Sequence, residues 1–120
     1  IDTLKKAGVK ENNIFIESSP GAYEMPLGAK WAYEKRKADA VICLGCVIKG
    51  DTDHDIYINN AVSMALMNLG LATGAPFVFG LLTPNNMQQA KDRSGGKHGN
   101  KGVECAAAAM EMLMIKKSLK

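Results

Sequence analysis

"ADAVICLGCVI" (residues 38–48) decides the fold. It is apolar without alternation, the pattern of a strand buried on both faces in a parallel sheet. A second such run, "APFVFGLL" (75–82), follows. Between the two, Ile58, Ala61, Val62, Ala65, Leu66 and Leu69 recur at i, i+3, i+4, i+7, i+8 and i+11. That spacing is a helical stripe, and Gly70 and Gly74 bracket its end. Strand, helix and strand in this order predict a parallel sheet covered by helices.

The flanking segments extend the pattern. "NIFIESS" (13–19) is a strand candidate with Ile14 and Ile16 on one face. "PGAYEMP" (20–26) reads as a loop, and Pro26 suits the first turn of a helix running to about Lys37. Leu27, Trp31 and Glu34 are spaced along it. Thr83 and Pro84 fit an N-cap and first turn for a short helix through Asp92. "SGGKHGNKG" (94–102) is a loop before a last helix, whose stripe is Val103, Ala106, Ala107, Met110 and Met114. Lys116 and Lys117 stand where the helix dipole favours cations. The expectation is one α/β domain over residues 1–120, a three-layer α/β/α sandwich.

Composition excludes several classes. With 47% apolar and 22% charged residues in 120, this is an ordinary globular chain. No apolar run approaches the roughly 20 residues of a membrane span, and no signal-peptide pattern opens it. It begins at Ile1 rather than Met, so we expect a piece of a longer protein. The net charge of +3 is scattered except for Lys91, Arg93, Lys97 and Lys101, which favours a small anionic ligand over nucleic acid or a membrane. Cys43 and Cys46 spell C-x-x-C, but in a strand residues three apart point to opposite faces. With Cys105 they read as buried structural thiols, and they suit a cytoplasmic location.

In open parallel sheets, ligands sit beyond the carboxyl ends of the strands. The loops there are "PGAYE", "KGDTDH" and "TPNN". His54 lies among Asp51, Asp53 and Asp55, alternating as in a calcium loop. That loop also needs Gly at its sixth place and Glu at its twelfth, where this chain has Ile56 and Val62. No metal is expected. Thr52-x-x-Asp55 fits a capping box, which accounts for those two residues and leaves His54 open between helix start and proton-transfer group. Arg93, Lys101 and Glu24 are likewise open between solvated charge and ligand contact. The residues alone reach an anionic small-molecule site near 50–54 and no reaction.

"PGAYEMPLGAK" (20–30), "AVICLGCVIKGDTDHD" (40–55), "PFVFGLLTPNN" (76–86) and "DRSGGKHGNKGVECAAAAMEM" (92–112) together resemble lumazine synthase, the penultimate enzyme of riboflavin biosynthesis. The resemblance runs from about Leu4 to Met114, in order and spacing. It implies a cofactor-independent transferase that joins 5-amino-6-(D-ribitylamino)uracil to 3,4-dihydroxy-2-butanone 4-phosphate. The product is 6,7-dimethyl-8-ribityllumazine, with phosphate and water released. His54 then matches the catalytic histidine. Asp51, Thr52, Arg93 and Lys101 match butanone-phosphate contacts. Ala22, Tyr23, Glu24, Cys46, Val47, Ile48 and Phe79 match contacts to the ribitylaminouracil.

The resemblance also implies a homopentamer with each site between two subunits, and in some members a shell of twelve pentamers. Riboflavin synthase is a partner candidate. The family's four-stranded parallel sheet has its first strand before the point matching Leu4, and that strand and its stacking aromatic are missing here. Many relatives also have an aromatic directly after the histidine, where this chain has Asp55. A homologous shell protein without catalysis is the alternative reading. An unrelated monomeric phosphate-binding module is a third.

Overall fold

The computed structural model describes residues 1–50, 53–96 and 99–119. In chain order the elements are α1 (Asp2–Lys6), a 3-10 turn (Glu11–Asn13), α2 (Met25–Arg36), β1 (Val41–Cys46), α3 (His54–Thr73), β2 (Phe77–Leu82), α4 (Met87–Arg93), β3 (Ser94–Gly96), β4 (Gly99–Asn100) and α5 (Lys101–Ser118).

β1 and β2 pair in parallel, from Val41 opposite Phe77 to Cys46 opposite Leu82. The ladder continues past β1, with the Val47 N–H donating to the Leu82 carbonyl and the Lys49 N–H to that of Pro84, each at 2.8 Å. Helices α2 and α3 pack together and against this sheet; α5 covers both strands and carries α1 on its outer side. This is the expected α/β architecture. One core cluster joins Ala29 of α2, Cys43 of β1, Val62 and Leu66 of α3, and Leu81 of β2. Val62 and Leu66 are wholly buried, and each contributes roughly 1.5–3 kcal/mol by leaving water.

Helix α3 forms where the apolar stripe predicts and stops where Gly74 takes the left-handed conformation, φ 73°. Its amide donates to the Gly70 carbonyl at 2.9 Å, satisfying a carbonyl at the helix end. At the other end, Asp53 is the N-cap and makes no side-chain cap hydrogen bond. The capping box expected from Thr52 falls outside the described residues at Thr52, and the Oδ1 of Asp55 is not spent on a cap.

Other expectations need correction. Residues 14–19 form no strand, so among the described residues the parallel sheet has two strands. The segment is instead held to the end of α2. Arg36 pairs with Glu17 at 2.7 Å, and its guanidinium lies 4.9 Å over the Phe15 ring. A strand needs a neighbour to accept its backbone bonds, and β1 has only β2. The cap of α4 is Asn86, whose side chain accepts from the Gln89 amide, because Pro84 is buried and its carbonyl holds Lys49. The "SGGKHGNKG" stretch contains a short antiparallel pair, Ser94 opposite Asn100 and Gly96 opposite Gly99.

The buried face of α5 is Cys105, Ala106 and Ala109, whereas Val103 and Met114 are exposed. Small residues let the helix approach closely. A Cβ on Gly80 of β2 would stand 2.7 Å from the Cys105 Sγ and 2.9 Å from the Cys43 carbonyl oxygen. Because one of those atoms is backbone, Gly80→Ala is expected to destabilise the fold by about 1–3 kcal/mol. A fall in the urea midpoint with unchanged slope would show this; an unchanged midpoint would mean α5 moves aside freely.

Candidate active site

The carboxyl ends of β1 and β2, Cys46 and Leu82, mark one edge of the sheet. β1 leads there through Val47 and Ile48 to His54, which is the first residue of α3 and exposed. Asp51 and Thr52, the other expected residues of this connection, lie outside the described residues. The exit of β1 alternates: Val47 packs against the core, while Cys46 is exposed and Ile48 partly so.

The turn before α2 meets the same corner. Ala22 and Met25 pack against the cluster that also holds Val47. Tyr23 is exposed, and Glu24 is the N-cap residue of α2, also exposed. An Oε2 of Glu24 would lie 3.0 Å from a Cβ on Gly21, so the glycine keeps room for the carboxylate beside the turn. Ala22, Met25, Val47 and Ile58 of α3 thus pack on one core cluster.

A second group lies on the α5 side. The β3–β4 pair closes with Ser94 opposite Asn100. Arg93 ends α4 just before that pair and Lys101 begins α5 just after it. The two cations, eight positions apart in the chain, thus flank one closing pair. Asn100 fixes the start of α5 by accepting from the Val103 amide at 3.2 Å. A cleft of about 310 Å³ opens here, lined among others by Leu44, Cys46, Ser94, Asn100 and Lys101. Cys46, at the end of β1, faces this cleft.

Phe79 is not brought to this edge. It lies in mid β2, half-buried against the core, and the Cys105 thiol contacts its carbonyl at 3.9 Å. Asn100 was not picked out from sequence, although an Asn before a helix is a cap signal. The buried thiols are no nucleophiles. Burial, with the nearby Cys105, pushes Cys43 up to about 11, and burial likewise raises Cys105. Both stay protonated near neutral pH. Among the described residues, no group of three His, Cys, Asp or Glu side chains could hold a metal ion.

A histidine thus opens the helix after β1, and an arginine and a lysine flank a glycine-rich closing pair. The family model described as 6,7-dimethyl-8-ribityllumazine synthase matches residues 1–117. The chain belongs to the lumazine synthase family. A 6,7-dimethyl-8-ribityllumazine synthase of Cytophaga hutchinsonii is 49% identical over 113 residues, covering 94% of this chain and 71% of that protein. The synthase of Bacteroides fragilis is 46% identical over 113 residues, covering 94% and 79%. That of Phocaeicola vulgatus is 44% identical over 119 residues, covering 99% and 71%. The lumazine synthase match thus takes in nearly the whole chain.

Proposed function

We propose that this chain is a catalytically active lumazine synthase. It condenses 5-amino-6-(D-ribitylamino)uracil with 3,4-dihydroxy-2-butanone 4-phosphate to give 6,7-dimethyl-8-ribityllumazine, phosphate and water. The observation that carries this reading is His54 at the first position of α3, directly beyond β1 at the carboxyl edge of a parallel sheet. His54 carries protons as the substrate amine adds to the ketone and the Schiff base forms. Loss of phosphate and ring closure, with expulsion of the second water, follow. The chemistry needs no metal and no organic cofactor.

Arg93 holds the phosphate, since a guanidinium can grip two of its oxygens, and Lys101 adds a second charge across the closing pair. The start of α3 turns the positive end of its helix dipole to the same anion. Glu24 accepts from ribityl hydroxyls, with Ala22, Tyr23, Cys46, Val47 and Ile48 around the ribitylaminouracil. His54 and Glu24 come from one subunit, and Phe79, Arg93 and Lys101 reach the site from its neighbour. The decisive test is formation of the fluorescent lumazine from the two purified substrates; no product would favour a shell protein without catalysis. Arg93→Ala is expected to raise the KM for the butanone phosphate about 10- to 100-fold, as loss of a charge-assisted contact would. An unchanged KM would remove Arg93 from phosphate binding.

The working state is a homopentamer or a multiple of one. α3 supports this, because after Asp55 it carries no charged residue as far as Thr73. Its outer face shows Tyr57 71%, Met64 64%, Met67 62% and Leu71 77% exposed. With Asn60 these fall at i, i+3, i+7, i+10 and i+14, the spacing of a helix–helix seam. A helix apolar on every side calls for cover, and a charge-free face meets its own copy without repulsion. Among the described residues no helix is long and apolar enough to cross a membrane, and the enzyme works in the cytoplasm on small molecules. Riboflavin synthase, which would consume the product, remains the partner of choice.

A further inference from the structure

Asp55 is the one charged side chain buried among the described residues, at 8% exposure. Among the described residues its Oδ1 has no hydrogen-bond partner. Asp55, Ile58, Val62, Leu66 and Leu69 follow at i, i+3, i+7, i+11 and i+14, so the carboxylate heads the stripe that α3 turns to the core. It is the second residue of α3, the helix entered from the carboxyl end of β1. A buried acceptor left without a donor is costly, and an apolar side chain at the head of this stripe would be cheaper. A free oxygen in such a place calls for a donor that arrives with a ligand.

We propose that Asp55 is a substrate-binding residue, whose free Oδ1 accepts a hydrogen bond from the ribitylaminouracil. That substrate is rich in donors: amine, ring N–H and ribityl hydroxyl groups. The other substrate carries a phosphate, which a carboxylate repels, so Asp55 also separates the two binding regions. The inference rests on the activity proposed above and adds a contact to it.

The test is steady-state kinetics of the full chain with both substrates, alongside thermal unfolding of each variant. Asp55→Leu is expected to unfold at a higher temperature, because the unsatisfied carboxylate is gone. Its KM for the ribitylaminouracil is expected to rise about 10- to 100-fold, as for a hydrogen bond to a charged group. The KM for the butanone phosphate should stay within about twofold. Asp55→Asn keeps an acceptor without the charge and should raise the same KM less, about 3- to 10-fold. Asp55→Leu with a lower unfolding temperature and both KM values unchanged would make Asp55 purely structural and overturn the inference. If the Leu variant does not fold, an unchanged KM in Asp55→Asn overturns it equally. A wild-type chain that forms no product would remove the activity reading and this contact with it. An active wild type with unmoved variants would remove the contact alone.

Discussion

His54→Ala is expected to lower kcat about 10²- to 10⁴-fold, the usual contribution of a positioned general acid–base group, while the particle mass stays unchanged. Histidine is the side chain whose ordinary proton affinity lies near neutrality, and the condensation moves a proton at nearly every step. His54 is exposed at the first turn of α3, so its removal empties no part of the core. The loss should therefore appear in turnover and not in the unfolding temperature. Single-turnover fluorescence with wild type and variant, each checked by light scattering, separates the two. Turnover within a factor of two of wild type would take His54 out of the mechanism. A collapse of particle mass would make it structural.

The second large effect is expected on assembly. Met67→Glu combined with Leu71→Glu places two carboxylates on the exposed face of α3, where the native chain carries no charge from Ile56 to Thr73. If this face packs on its own copy, each carboxylate is driven into an apolar contact, at an effective penalty of several kcal/mol per ion. The double variant should then run at the mass of one chain, keep its helical circular dichroism and lose turnover. Both positions are more than 60% exposed within the chain, so the fold itself has no reason to resist the change. A native-sized, active particle would show that the subunits meet elsewhere.

Much of this architecture was legible before any coordinates. The runs at 38–48 and 75–82 and the stripe between them place β1, α3 and β2 within a few residues of their observed bounds. Gly74 stops α3 as its conformational freedom suggests. His54, Arg93 and Lys101 stayed open between structural and chemical roles on the residues alone, and only the resemblance to lumazine synthase singled them out. Less legible was whatever depended on a neighbour. "NIFIESS" has the composition of a strand, yet it forms none here, since the ladder that would define it has no described partner beside it. Thr83 and Pro84 look like a helix start, but the parallel ladder claims the Pro84 carbonyl for Lys49 and hands the cap to Asn86. In α5, periodicity favours the large Val103 and Met114. The sheet instead selects Cys105, Ala106 and Ala109, because only small side chains fit against Gly80.

By itself, then, the sequence determined the kinds of element, their order and the parallel sheet, because side-chain period and turn chemistry are local properties of the chain. The α3 stripe through Ile58, Val62, Leu66 and Leu69 also pointed inward by its period, and the structure buries it while Met64, Met67 and Leu71 stay out. The tertiary structure alone decided what depends on neighbouring elements. Packing buries Asp55, which in sequence is one more acid at a helix start. It also pairs Ser94 with Asn100, which places Arg93 and Lys101 on either side of one closing pair.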